Sequence, residues 1–88
     1  MRTKKQMTSW ISKTRADPPV FFHEMTTVGY GKGLEEMSRQ LKKKNGADGM
    51  MKLIERKIAN PPVFFHAMSD SGYERALLDM MSFIEESG

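Results

Sequence analysis

The chain contains no cysteine, which excludes disulfide bridges, thiolate zinc sites and cysteine nucleophiles. It also lacks any apolar run approaching the ~18 residues that a membrane-spanning helix needs. No apolar stretch follows the basic residues of MRTKKQMTSWISK, so a secretory signal is not expected. A cytoplasmic location without membrane contact is the expectation. Histidine is scarce, with His23 and His66 alone, and two such ligands are too few for a structural zinc site. No base stands beside a nucleophile in any recognisable motif. The chain therefore reads as a non-enzyme that needs neither cofactor nor metal.

What is present describes a globular protein, with 39% hydrophobic and 28% charged residues in 88. That length is one domain, residues 1–88. Nine methionines exceed ordinary usage and suggest an adaptable binding surface. Charge is unevenly spread. Residues 1–46 carry ten Lys and Arg against four Asp and Glu, a formal +6, whereas residues 47–88 carry four against seven, a formal −3.

A shift of 43 positions lays residues 7–45 on 50–88 without a gap, leaving a linker at about 45–49. DPPVFFHEM at 17–25 falls on NPPVFFHAM at 60–68, and 14 of 39 aligned positions are identical. Each half reads as three helices. The first carries Met7, Trp10 and Ile11, with Met50, Leu53 and Ile54 as counterparts, and Thr3 with Gln6 makes a capping box. A second helix is expected from Asp17 and Asn60 as N-caps, with the prolines in its first turn and Phe21, Phe22, Met25 and Val28, or Phe64, Phe65 and Met68, on one apolar arc. Gly29 and Gly72 are read as closing that helix. The third carries Leu34, Met37 and Leu41, or Tyr73, Leu77, Met80 and Ile84, with a capping box at Ser71 and Glu74. The fold expected is all-α: a tandem duplication of a three-helix unit packed as one small, pseudo-twofold-symmetric domain. Its repeat core is Trp10, Ile11, Phe21, Phe22, Met25, Leu53, Ile54, Phe64, Phe65 and Met68.

Three features are candidates for function. GYGKG at 29–33 has glycines around Lys32 but lacks the spacing of a phosphate loop, and its counterpart is GYERA, so it reads as an interhelical turn. His23 and His66 fall on the outward side of their expected helices yet match between halves, which makes them candidate docking or interface residues. Lys4, Lys5, Lys13, Arg15, Lys42, Lys43, Lys44, Lys52, Arg56 and Lys57 are candidate contacts for nucleic acid or for an acidic partner. The leading functional expectation is a small regulatory or inhibitory protein that binds a partner protein. The alternative is a small DNA- or RNA-binding regulator that contacts phosphates through the basic N-terminal half, with helix two, Gly29 and helix three as a helix-turn-helix. Whether the chain is a monomer or a homodimer is left open.

A unit of about 40 residues rarely buries enough apolar surface to fold without disulfides or metal. Peptides 1–46 and 47–88 are accordingly expected to be largely unfolded apart, while the whole chain melts in one transition. Strong helical dichroism with cooperative melting in either half would contradict this.

Overall fold

A computed structural model describes residues 2–43, 46–62 and 67–86. Among them it contains four helices and no strand: α1 (Lys4–Ala16), α2 (Glu24–Leu41), α3 (Gly46–Ala59) and α4 (Ala67–Glu85). Among the described residues each half thus contains two helices, not three. At the 43-residue shift, α1 falls on α3 and α2 on α4, within one residue at every helix end.

The start of α1 follows its sequence. Thr3 Oγ1 accepts the Gln6 N–H at 3.1 Å, and Gln6 Oε1 accepts the Thr3 N–H at 2.8 Å. The helix stops at Asp17 because the residue before a proline is driven out of the α region. Asp17 is therefore the C-cap of α1, and the expected helix does not start there. Pro18 cannot serve as a first helical residue either, since Pro19 follows it and imposes the same restriction. The backbone stays non-helical until His23, whose Nδ1 accepts the Met25 N–H at 3.1 Å and caps α2.

Across 20–22 the side chains alternate as in extended chain. Val20 and Phe22 stand in solvent, while Phe21 turns in against Tyr30 with ring centroids 5.4 Å apart. An arc counted at helical spacing had placed Phe21 and Phe22 together in the core, and Phe22 does not belong there. Met68 is also exposed and Met25 half-buried. Phe64, Phe65 and His66 lie outside the described residues.

The expected second and third helices are one continuous helix in each half. Gly29 and Gly72 lie inside α2 and α4, Ser71 lies inside α4, and Asp48 lies in the first turn of α3 with most of the expected linker. Among described residues only Gly46, at φ 79°, takes a left-handed conformation. The helix-turn-helix reading falls with the turn.

A glycine in mid-helix costs about 0.5–1 kcal/mol relative to alanine, and here the neighbouring helix explains it. A Cβ on Gly29 would lie 2.0 Å from the Ser69 carbonyl oxygen, and one on Gly72 would lie 2.0 Å from that of Thr26. Gly33 meets Ala76 and Tyr73 in the same way, at 2.7 Å and 3.1 Å. These contacts bring early residues of α2 to early residues of α4, so the two helices run the same way in backbone contact. Tyr30, Leu34, Met37, Leu41, Tyr73, Leu77, Met80 and Ile84 are buried from these two helices, and Met7, Ile11, Met50, Leu53 and Ile54 from the other two. Met7, Met37, Met50 and Met80 are fully buried. These four fill the core, whereas Met25, Met51 and Met81 are half-buried and Met68 is exposed.

Gly29→Ala and Gly72→Ala are each expected to cost several kcal/mol, because the intruding methyl group meets backbone that cannot swing aside. A Cβ at Gly31 would meet nothing within 4 Å, so Gly31→Ala should stabilise the chain by roughly 0.4–1 kcal/mol. Denaturant melts of the three variants check this, and similar effects at all three positions would contradict it.

Candidate functional site

Packing α2 on α4 through small residues leaves the larger polar side chains at the edges of the contact. The Tyr30 hydroxyl donates to Asp79 Oδ2 at 2.7 Å, and Arg75 Nε donates to Asp79 Oδ1 at 3.0 Å. At the equivalent place Tyr73 lies near Glu36, which pairs with Arg39 at 2.9 Å and with Lys57 at 3.7 Å. Glu36 and Asp79 occupy equivalent positions at the 43-residue shift, where the charged residues of an amphipathic helix would ordinarily stand in solvent. Both are instead partly covered, and the retained carboxylate at matching positions was the signal that could have revealed them. Burial, then the Asp79 hydrogen bond and charge, pushes the Tyr30 phenol well above its ordinary range. Burial, then Glu36, raises Tyr73. A phenol held protonated in this way is a structural tether and a poor general base.

The exposed surface offers two places for a partner. The first is the stretch 18–23 between α1 and α2, where Val20 is 98% and Phe22 113% exposed. His23, read as a docking residue, is exposed and acts as the N-cap of α2, so its position is accounted for by local backbone.

The second is a groove of about 370 Å³ lined by Lys5, Gln6, Ser9, Trp10, Lys13 and Phe83. Trp10 stacks on Phe83 with centroids 5.6 Å apart, and Arg2 lies 4.0 Å over the Phe83 ring. Trp10 and Phe83 pack against the core from its edge. Phe83 was not singled out from sequence, because nothing in a single helix shows which residue of another helix will meet Trp10.

The basic residues are divided among several places. Lys4, Lys5, Lys13 and Arg15 are exposed on α1, and Lys42 and Lys43 are exposed after α2, with Lys44 outside the described residues. Lys52 and Arg56 are exposed on α3, whereas Lys57 is engaged with Glu36. Arg56 and Lys57 line a separate groove with Gln40, Leu53 and Asn60. Among the described residues no group of three or more acidic or histidine side chains is placed to hold a metal ion, and no helix is long and apolar enough to cross a membrane. No protein family, curated protein or solved structure matches the chain.

Tyr30 and Tyr73 are the chain's two tyrosines, so tyrosinate absorbance reports on them alone. Both folded pKa values lie above that of an unfolded phenol. Their contribution to stability is thus complete below about pH 10 and is lost as pH rises from there through the folded values. In an alkaline titration, tyrosinate absorbance and loss of helical dichroism should rise together. Two tyrosines ionising near pH 10 with the helical signal intact would refute this.

Proposed function

We propose that this chain is a small non-catalytic regulatory or inhibitory protein that acts by binding a partner protein, with Val20 and Phe22 as its apolar anchors. One observation carries the reading. PPVFFH at 18–23 and again at 61–66 is the longest stretch shared by the two halves, yet in the described copy Val20 and Phe22 are almost wholly in solvent. Core packing accounts for Phe21, but an exposed valine and phenylalanine gain nothing from folding. Two prolines on one side and the α2 cap on the other stiffen the segment, which lowers the ordering cost of presenting it to a partner.

In this reading the duplicated unit is a pair of helices, and the two units pack about a pseudo-twofold axis. The reciprocal contacts of Gly29 with Ser69 and Gly72 with Thr26 support it, because those pairs exchange under the 43-residue shift. A second reading, binding of DNA or RNA, is favoured by the absence of any carboxylate from Arg2 to Ala16, where five cations stand.

Purification of the tagged chain from its host after nuclease treatment should recover a stoichiometric protein. Phe22→Ala should lose that protein while changing stability by less than about 0.5 kcal/mol. Recovery of no protein overturns the partner reading, and unchanged recovery with Phe22→Ala removes the segment from it. Binding to mixed oligonucleotides that weakens steeply with salt would favour the second reading instead.

A further inference from the structure

The groove at Trp10 has a positional counterpart in the other half of the chain. At the 43-residue shift Trp10 becomes Leu53, Lys13 becomes Arg56 and Phe83 falls on Gln40, and these three residues line the second groove. Both grooves keep a basic wall, but only one has an aromatic floor. Leu53 is 4% exposed, so an aliphatic side chain meets the needs of the core at that position. Trp10 is only partly covered, and its indole faces a groove with Lys5 and Lys13 along it.

At the Lys5 end of the groove the charge opposes the helix dipole, whereas Lys13 stands in the last turn of α1, where a cation complements it. Lys4 and Lys5 occupy the first turn of α1, which contains no acidic residue, and cations at that end of a helix dipole are unfavourable. An external anion relieves this cost. Lys5 and Lys13 are eight residues apart on one helix, about 12 Å along its axis. In an extended chain, residues i, i+2 and i+4 share a face and span about 13 Å.

We infer that this groove docks an extended acidic segment of a partner protein with the pattern Glu-x-Leu-x-Glu, or its Asp and aliphatic equivalents. The outer carboxylates meet Lys5 and Lys13, and the central apolar side chain lies on the Trp10–Phe83 floor. A nucleic-acid strand fits less well. Phe83 is already engaged by Trp10 and by Arg2, whose Nε donates to the Phe83 carbonyl oxygen at 2.9 Å, so a stacking base would have to displace one of them. An aliphatic side chain needs only apolar surface. The inference rests on the partner-binding reading but uses a surface separate from Val20 and Phe22.

Trp10 is the only tryptophan, so its emission reports on this groove directly. The full chain is titrated with a capped peptide carrying Glu-x-Leu-x-Glu, with the same peptide carrying Gln for Glu, and with a single-stranded thymidine oligomer. The acidic peptide should change Trp10 emission saturably. Lys5→Glu combined with Lys13→Glu should weaken that binding about tenfold, as two rim charge pairs turn repulsive. Both lysines are exposed, and helical dichroism checks the fold; if charge reversal disturbs it, Lys5→Ala with Lys13→Ala should weaken binding in the same direction. Phe22→Ala should leave the peptide's affinity unchanged, which separates failure at this groove from failure of the anchor segment. No saturable change with the acidic peptide overturns the inference. So does equal affinity of the Gln peptide, tighter binding of the oligomer, or an affinity unchanged by the lysine variants. Self-association that fills the groove without peptide, seen by sedimentation, would assign it to a second copy and overturn it as well.

Discussion

The distance between α2 and α4 is set where Gly29 lies against the Ser69 carbonyl and Gly72 against that of Thr26, and most of the remaining structure follows from that distance. With the helices in backbone contact, only small residues fit on the facing strip: Thr26, Gly29 and Gly33 on one side, Ser69, Gly72 and Ala76 on the other. Larger side chains are displaced to its edges. Tyr30 and Tyr73 therefore lie beside the strip with their hydroxyl ends near carboxylates, and Leu34, Met37, Leu77 and Met80 continue the buried face. Helix propensity opposes the glycines by up to about 1 kcal/mol each. Full burial of one leucine or methionine contributes about 1.5–3 kcal/mol, so the close approach is repaid by what it lets the neighbours bury.

Much of this was legible in sequence, and what was not has a specific cause. The helical spacing of Leu34, Met37 and Leu41, the Thr3 and Gln6 capping box and the all-helical class could be read locally, because each depends on residues within a few positions. Gly29 and Gly72 could not be read that way. A glycine after an apolar run marks a helix end in one context and a close contact in another, and only the facing helix decides between them. Gly29 with Gly33, and Gly72 with Ala76, are small residues four apart at matching places, and that spacing was the clue to a contact. The prolines misled for a related reason: a proline at a helix start is common, but Pro18 is itself followed by Pro19. Once 18–22 is non-helical, counting it at 100° per residue puts Phe22 on the wrong side. A period of two puts Val20 and Phe22 outside and Phe21 inside.

The candidate binding surfaces were less legible than the core for the same physical reason. A groove is a relation between helices distant in sequence, and Trp10 and Phe83 are brought together only by the packing of α1 and α4. Charge alone pointed to the N-terminal half but gathered ten cations into one group. The structure divides them, since Lys5 and Lys13 line one groove and Lys57 is tied to Glu36 beside another.

Comparing the halves position by position separates packing from recognition. Residues alike in both and buried, such as Met7 with Met50, Leu34 with Leu77 and Met37 with Met80, are accounted for by the core. Val20 and Phe22 match between the halves and are exposed in the described copy, so the core does not account for them, and they support a contact outside the chain. Residues that differ tell a complementary story. Leu53 satisfies the core where Trp10 stands in the other half, and Gln40 stands where Phe83 does. An aliphatic side chain thus fills the equivalent core position in the other half, and the aromatic floor occurs beside the helix that carries cations and no carboxylate. The two rings pack against the core from its edge, so part of the floor serves the fold, while the part that faces the groove lies between Lys5, which the helix dipole disfavours, and Lys13, which it favours.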